Sequence, residues 1–453
     1  MQVRFGTDGV RGVANAELGV ELMLALGRAV ARVLPASSFV IGRDTRRSGS
    51  LLQAAMSAGL ASEGTDVIDV GVLPTPGIAW LSSVRGVPAA VVSASHNPFA
   101  DNGIKVFAPG GLKLPSSTEA AIEEQLESFL EVPDSLARPK GAEVGCLHQE
   151  PEAADSYVDH LAGVLEGRDL GGQKVVVDCA NGAAFRVAPA ALRRVGAQVH
   201  AIACDPNGTN INEGCGSTHP EALAAEVIGR GAELGLALDG DADRLLAVDH
   251  TGAMATGDEM LALFASDLAE RGRLAGDTVV ATVMSNLGFH RAMAERGISV
   301  LETPVGDRHI LEALDDRKLV LGGEQSGHIV FRELATTGDG VLTSLLLLDL
   351  VHRSGRSLAE LVGGAMSRVP QVLVNVAVAD PRSAVEAAEV REALSTVEES
   401  LAGDGRVLLR ASGTEPLVRV MVEATEERTA HEAAESLCRA VERAGAASRA
   451  TLP

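Results

Sequence analysis

The sequence predicts an α/β protein: three consecutive doubly wound α/β domains and a C-terminal α+β domain around a central cleft. Three observations carry this expectation. The chain has 453 residues, enough for two to four domains at about 100 to 200 residues each. Short β-branched or aliphatic runs alternate with helix-length amphipathic stretches almost throughout, the pattern of parallel strands joined by crossover helices. In each of four blocks an apolar strand also runs directly into a polar turn containing Gly or Ser. Open α/β sheets bind ligands at the carboxyl ends of their strands, so the four turns can share one cleft.

In chain order, the first block (residues 1–145) carries apolar runs at Phe39-Val40-Ile41, Val67-Ile68-Asp69-Val70 and Ala89-Ala90-Val91-Val92, with helical stretches between them. A Pro-containing segment around Pro133 and Pro139 reads as the first linker. The second block (146–250) includes Val175-Val176-Val177 and Leu234 to Leu238. The third (251–366) has Val279-Val280-Ala281 and Lys318 to Leu321, and closes on a helical stretch from Gly340 to Val351. The fourth (367–453) opens after Pro370. There Val372 to Val374, Val407 to Leu409 and Val418 to Met421 stand among long Ala/Glu-rich helices, which suits an α+β layer better than a wound sheet.

Composition removes several function classes. A net charge of −22 repels phosphate backbones, and one Trp and one Tyr leave few platforms for stacked bases, so nucleic acid is not an expected partner. A hydrophobic content of 46% excludes a disordered chain. The best apolar run, Leu345 to Leu348, is cut by Asp349 and falls far short of the ~18 residues a membrane span needs. Five cysteines, an odd number without a CxxC pair, and a start without a signal-peptide core point to reduced thiols in a cytoplasmic protein. Membranes are not expected partners either. Oligomeric state is not legible, and a homodimer is allowed for.

The four turns differ in their chemistry. Asp239, Asp241 and Asp243 set three carboxylates within five residues. Packed together without a cation they would repel one another, and a hard metal relieves that. The loop is not an EF-hand, because counting from Asp239 places Arg244 at the position-6 glycine and His250 at the position-12 glutamate. Three side-chain donors leave room for water or a phosphoryl oxygen, which suits Mg²⁺ in phosphate chemistry; a solvated acidic loop is the plain alternative. Ser95, in Ser93-Ala94-Ser95-His96-Asn97-Pro98, is presented after a buried strand with no GxSxG elbow around it, which argues against acyl transfer. General-base help supplies only ~10² to 10⁴ in rate, too little for phosphate monoesters without metal and cationic assistance.

Arg410-Ala411-Ser412-Gly413-Thr414 offers a guanidinium, two hydroxyls and a run of backbone N–H groups, a cradle for a phosphate dianion, with Arg419 on the following strand. Glu324 and Ser326, among glycines in Gly322-Gly323-Glu324-Gln325-Ser326-Gly327-His328, can read sugar hydroxyls. Near the start, Thr7-Asp8-Gly9-Val10-Arg11-Gly12 and Gly42-Arg43-Asp44-Thr45-Arg46 bring cations into an acidic chain, and Lys105 is one of only five lysines. An anionic substrate needs such a local cluster against the global charge.

Four motifs in one order, spread from Phe5-Gly6-Thr7-Asp8-Gly9-Val10-Arg11-Gly12 to Glu423, resemble the α-D-phosphohexomutases over nearly the whole chain. The resemblance implies a four-domain, heart-shaped enzyme that interconverts glucosamine 6-phosphate and glucosamine 1-phosphate. By it, Ser95 is the phosphorylated residue, and Asp239, Asp241 and Asp243 with Ser95 hold one Mg²⁺. Arg11, His96, Lys105 and Arg244 surround the transferring group, Lys105 as candidate acid/base. Glu324 and Ser326 read the sugar, and Arg410, Ser412, Gly413, Thr414 and Arg419 hold the distal phosphate; Arg308 and His309 match less firmly. A 1,6-bisphosphate of glucosamine or glucose is the intermediate and activator. Alternatives are a glucose- or mannose-phosphate mutase, and a Mg²⁺-dependent sugar phosphatase with Asp239 as nucleophile. Gln325, where hexose-specific relatives often carry Met, leans toward the amino sugar.

Overall fold

The computed structural model describes residues 5–6, 9–131, 137–401, 403–412 and 416–450, the last four of these without side chains. The chain forms two compact units, one of residues 1–284 and 297–365, the other of 285–296 and 366–453. Among the described residues no helix is long and apolar enough to cross a membrane.

The first unit contains three sheets. In the first, the strand order is Val10–Val13, Asp101–Ala108, Ala89–Val92, Ser38–Arg43, Asp66–Val72, Leu147–Gln149. Its apolar face packs Phe39, Ile41, Ala90 and Val92 against Met23 and Leu26 of helix Val20–Val33 and Met56 and Leu60 of helix Gly49–Ser62. Those two helices touch backbone to backbone: a Cβ on Gly27 would stand 2.3 Å from the Met56 carbonyl oxygen and one on Gly59 2.2 Å from that of Leu24. The second sheet runs Met254–Ala255, Leu245–Asp249, Leu234–Leu238, Lys174–Asp178, Gln198–Ile202, and the third Ser299–Thr303, Thr278–Thr282, Leu321–Gly323, Ile329–Phe331.

The expected parallel sheets are in fact mixed, and the reason lies in the polar turns. Ala89–Val92 returns through Asp101–Ala108, Leu234–Leu238 through Leu245–Asp249, and Leu321–Gly323 through Ile329–Phe331, each pair antiparallel. The turns between them hold eight, six and five residues, whereas a parallel crossover needs about a dozen or more. Each polar turn is therefore a hairpin loop, and the first return strand carries Lys105. One strand begins later than its apolar run suggests. Lys318 sits at φ 55° as the cap that ends helix Asp307–Arg317, so Lys318 to Val320 close the helix and the strand starts at Leu321.

Helix Gly340–Ser354 is capped by Asp339, whose Oδ1 accepts from the N–H groups of Val341 (3.0 Å) and Leu342 (2.9 Å). The buried Tyr157 hydroxyl donates to the other oxygen. Burial outweighs these bonds and pushes the Asp339 carboxyl up to about 6. A carboxyl raised above its unfolded value of 3.8 favours the folded state while protonated, and that contribution is lost as pH climbs from about 4 through 6. Asp339→Asn keeps the cap and removes the titration. The thermal midpoint of wild type relative to Asp339→Asn is expected to fall between pH 4 and 6.5 and then level off, followed by calorimetry across that range.

The second unit is the α+β layer expected for the fourth block. Its antiparallel sheet, ordered Gln371–Ala377, Leu417–Ala424, Gly405–Ala411, packs Val418, Val420 and Val422 against Leu437 and Val441 of helix Glu427–Ala450 and Val390 and Val397 of helix Ala388–Leu401. Helix Leu287–Glu295, which lies between strands of the third sheet in chain order, packs here. Buried Glu423 accepts from Asn286 Nδ2 (2.9 Å), Leu287 N (3.1 Å), Gln371 Nε2 (2.9 Å) and Arg406 Nε (2.5 Å). A Cβ on Gly288 would lie 2.0 Å from the Ser367 carbonyl oxygen.

Candidate active site

Ser95 sits on the first hairpin turn, buried, with φ 51°, a left-handed conformation that costs a non-glycine residue about 1 to 2 kcal/mol. The loop is held against that strain from below. Arg46 Nη2 donates to the carbonyl oxygens of Ser95 (2.9 Å) and Asn97 (2.7 Å), and Nη1 to those of Asp101 (3.0 Å) and Pro98. Asn212 Nδ2 reaches the same Ser95 and Asn97 oxygens at 2.9 and 3.1 Å. The Ser95 N–H donates to Ser93 Oγ (3.0 Å), which donates to Asp44 Oδ2 (2.6 Å), which pairs with Arg46 Nε (2.8 Å). Arg46 therefore does not serve as an exposed cation for a substrate, as its motif suggested; it is a buried brace of the serine loop. Thr45 ties to the Asn181 carbonyl oxygen at 2.5 Å.

The Ser95 hydroxyl donates to Asp239 Oδ2 at 2.5 Å, 144 residues away in sequence, and stands 3.3 Å from His96 Nδ1. Asp239, Asp241 and Asp243 are all buried and each presents an oxygen within 4.8 Å of the others. Ala242 at φ 59° turns the loop, and its carbonyl oxygen accepts the Gly340 N–H at 2.9 Å, from the first residue of the Asp339-capped helix. Lys105 reaches this cluster because the return strand places it opposite Val91. Its ammonium lies 2.9 Å from Asp241 Oδ2 and 3.0 Å from Asp243 Oδ2, and Thr75 Oγ1 donates to Asp241 Oδ2 at 2.7 Å.

Electrostatics separates the three carboxyls. Burial, then the charges of Asp243 and Asp241, drives Asp239 well above the ordinary carboxylate range. Burial acts on Asp243 too, but Lys105, His328 and Arg244 outweigh it and hold that carboxyl well below. Asp241 is likewise lowered, as Lys105 and Thr75 overcome burial and the Asp243 charge. Asp241 Oδ1 and Asp243 Oδ1 are buried without a hydrogen bond, a costly state for a carboxylate oxygen that a divalent cation relieves. The donor set, all oxygen, fits Mg²⁺. Arg244 Nε lies 3.7 Å from Asp243 Oδ1. Burial lowers the His96 imidazole, and the charges of Arg244 and Arg11 lower it further. Arg11 lies on the strand that pairs with Asp101–Ala108, opposite Gly103.

The third turn joins the same assembly. Leu245 N donates to the Gly327 carbonyl oxygen (3.0 Å), Gly257 N to that of Gln325 (3.1 Å), and His328 Nδ1 faces Asp243 Oδ2 at 3.8 Å while its Nε2 accepts the Gly338 N–H at 3.2 Å. Glu324 Oε1 accepts from Gly306 N (3.1 Å), and Ser326 Oγ lies 3.4 Å from Glu324 Oε2. Arg308 pairs with Glu119 (2.6 Å), while His309 is half exposed beside Glu312. In the second unit, Arg410 stands opposite Arg419 in the antiparallel register and Ser412 N donates to the Leu417 carbonyl oxygen. Burial and the Arg419 charge both lower the Arg410 guanidinium. Gly413 and Thr414 lie outside the described residues.

Models of all four phosphoglucomutase/phosphomannomutase domains match this chain: alpha/beta/alpha domain I over residues 2–131, domain II over 155–252, domain III over 256–369 and the C-terminal domain over 373–440. The phosphoglucosamine mutase of Desulforamulus reducens is 53% identical over 425 residues, 92% of this chain and 94% of its own. That of Saccharopolyspora erythraea is 52% identical over 444 residues, 96% of this chain and 98% of its own. The chain belongs to the phosphoglucosamine mutases. A phosphoglucomutase/phosphomannomutase family protein from Burkholderia thailandensis has a TM-score of 0.83 at 26% identity, covering 98% of both chains. An N-acetylphosphoglucosamine mutase from Aspergillus fumigatus, solved with GlcNAc-6P and magnesium, shares the fold with a TM-score of 0.71 at 19% identity, over 98% of this chain and 96% of that one.

For a phosphoglucosamine mutase, the residues that brace the serine and metal loops include two outside every sequence motif, Thr75 and Asn212, and four inside a motif whose bracing role the motif does not announce, Asp44, Arg46, Ser93 and His328. Arg46→Ala would leave Asp44 buried and unpaired, a change of about 3 to 5 kcal/mol. A correspondingly large drop in the denaturation midpoint is expected, together with a fall in kcat that Arg46→Lys recovers only in part.

Proposed function

We propose that this chain interconverts glucosamine 6-phosphate and glucosamine 1-phosphate through a phosphoserine at Ser95 and a 1,6-bisphosphate. One observation carries the reading: the Ser95 hydroxyl lies 2.5 Å from the first of three buried carboxylates whose neighbour is Lys105. A serine placed so is suited to carrying a phosphoryl group beside a metal, and poorly suited to acyl chemistry. Asp239, Asp241, Asp243 and phosphorylated Ser95 would hold one Mg²⁺ per subunit. When bound, the ion neutralises charge on the phosphoryl oxygens.

In the first half-reaction the sugar O1 attacks phosphorus of phospho-Ser95, the P–Oγ bond breaks, and the proton of O1 passes to Oγ. His96, 3.3 Å from Oγ, is placed to relay it. Lys105, bonded to two carboxylates, acts electrostatically or as the acid/base. In the second half-reaction Ser95 Oγ attacks phosphorus of the reoriented bisphosphate's 6-phosphate, the P–O6 bond breaks, and the Oγ proton passes to O6. Arg11 and Arg244 supply positive charge to the group in transfer, and Glu324 and Ser326 bind sugar hydroxyls. The relatives' shared name favours the amino sugar over glucose or mannose. A panel of glucosamine, glucose and mannose 6-phosphates, run at equal Ser95 phosphorylation, tests this; equal kcat/KM for all three would overturn the assignment.

The opposed Arg410 and Arg419, with Ser412, Gly413 and Thr414, would hold the distal phosphate in both halves of the cycle. Loss of one charge-assisted Arg contact costs roughly 1.5 to 3 kcal/mol, about ten- to a hundredfold in affinity. Arg410→Ala is therefore expected to release bisphosphate before it reorients. Progress curves should decay during turnover and recover when glucose 1,6-bisphosphate is added; linear curves with only a raised KM would place Arg410 elsewhere.

A further inference from the structure

We propose a second metal site on this chain, for a thiophilic divalent cation of the zinc class, formed by Asp66, Cys146 and His148. Each offers a donor atom, a carboxylate oxygen, a sulfur and a ring nitrogen, and all three lie within 4.8 Å of one another. The site stands at the edge of the first sheet, where Leu147–Gln149 pairs in parallel with Asp66–Val72. Cys146 immediately precedes the strand and extends its ladder by accepting the Val67 N–H, so Cys146 and His148, two residues apart along that extended run, lie on one face. Asp66, beside Cys146 on the neighbouring strand, completes the triangle: Cys146 N donates to Asp66 Oδ1 at 2.7 Å, and Val67 N donates to the Cys146 carbonyl oxygen at 2.8 Å.

The backbone that carries these donors is fixed. Gly145 N donates to the Ala61 carbonyl oxygen and Glu150 N to that of Asp69, both at 2.9 Å, and a Cβ on Gly145 would stand 2.1 Å from the Thr65 carbonyl oxygen. The donor atoms themselves are uncommitted: among the described residues neither Cys146 Sγ nor the His148 ring has a hydrogen-bond partner, and Asp66 uses only Oδ1. Donors around a tetrahedral zinc-class ion lie about 3.4 to 3.6 Å apart, from bond lengths of about 2.0 to 2.3 Å. Small rotations of side chains that are exposed or half-exposed close the remaining gap. Sulfur and imidazole select zinc-class ions over Mg²⁺, so this site does not compete with the all-oxygen aspartate cluster for the same metal. Binding releases the thiol proton to solvent and leaves a fourth position open.

The test is a Co²⁺ titration of the full, metal-stripped chain with its thiols reduced and Mg²⁺ in large excess. One equivalent should bind with a thiolate-to-cobalt charge-transfer band in the near ultraviolet. Cys146→Ser should abolish the band, and His148→Ala should weaken binding at least tenfold. Both positions are exposed, so both variants should keep wild-type mutase activity and show that the fold is intact. Absence of the band at millimolar Co²⁺, a band that survives Cys146→Ser, or unchanged affinity in His148→Ala would each overturn the site.

Discussion

Ser95→Ala is expected to lose all measurable mutase turnover and to remain folded. No other described hydroxyl donates to Asp239, and the uncatalysed transfer is among the slowest reactions known, so nothing replaces the covalent relay. The stability change is small by comparison. One hydrogen bond of about 1 kcal/mol disappears, and the backbone strain at φ 51° persists, because alanine also carries a Cβ. Ser95→Gly separates the two effects: it is equally inactive, but relief of the left-handed strain should make it at least as stable as Ser95→Ala. Mass spectrometry should find phosphate on wild-type Ser95 and none on either variant. Turnover by Ser95→Ala, or phosphate on Asp239, would move the chemistry to the carboxylate.

Lys105→Met should be the next most damaging change, with kcat reduced by about 10² to 10⁴. The ammonium is the cation shared by Asp241 and Asp243, at 2.9 and 3.0 Å. Without it the three buried carboxyls face one another with less compensation, so those of Asp241 and Asp243 rise and the cluster retains protons at pH values where wild type is ionised. Apparent Mg²⁺ requirement should shift to higher concentration at mildly acidic pH, while KM for the phosphosugar changes less than kcat. Steady-state kinetics at two pH values, with Mg²⁺ varied, reads both effects. A variant with normal kcat and only a raised KM would make Lys105 a substrate-binding cation alone.

The parts of the molecule that could be read in the sequence are those with a local signal. Ala89–Val92 and Leu234–Leu238 begin and end where their apolar runs do, because an unbroken buried run followed by a polar turn leaves little choice. The return strand Asp101–Ala108 was not legible: it starts Asp101-Asn102-Gly103, which resembles a loop, and it becomes a strand only by pairing on both sides. Lys105 stood out as a rare lysine, yet its contact with Asp241 and Asp243 is a product of that pairing. Arg46 illustrates the converse. Its neighbours Arg43 and Asp44 suggest a charged surface loop, but its partners are the carbonyl groups of residues 95 to 101, half a hundred positions on, and no local pattern announces them. Asn212 and His328 brace the same loops from still farther along the chain. The chemical turns are thus visible in sequence, whereas the braces that hold them arise from tertiary pairing.

The anchoring of Asn286 and Leu287 by Glu423 sets an order of events during synthesis. Residues 285–296 leave the ribosome well before the strand that bears Glu423, which follows after roughly 130 more residues, or about 7 to 30 s at ordinary elongation rates. Throughout that interval the helix lacks its carboxylate anchor, and the Ser367 backbone on which Gly288 rests emerges only after roughly 70 residues of it. The preceding and following strands of the third sheet, Thr278–Thr282 and Ser299–Thr303, can pair in the meantime, because both are already out. The nascent chain therefore carries a looped-out segment whose anchor arrives last, and a ribosome stalled before residue 423 would leave it exposed to chaperones and proteases.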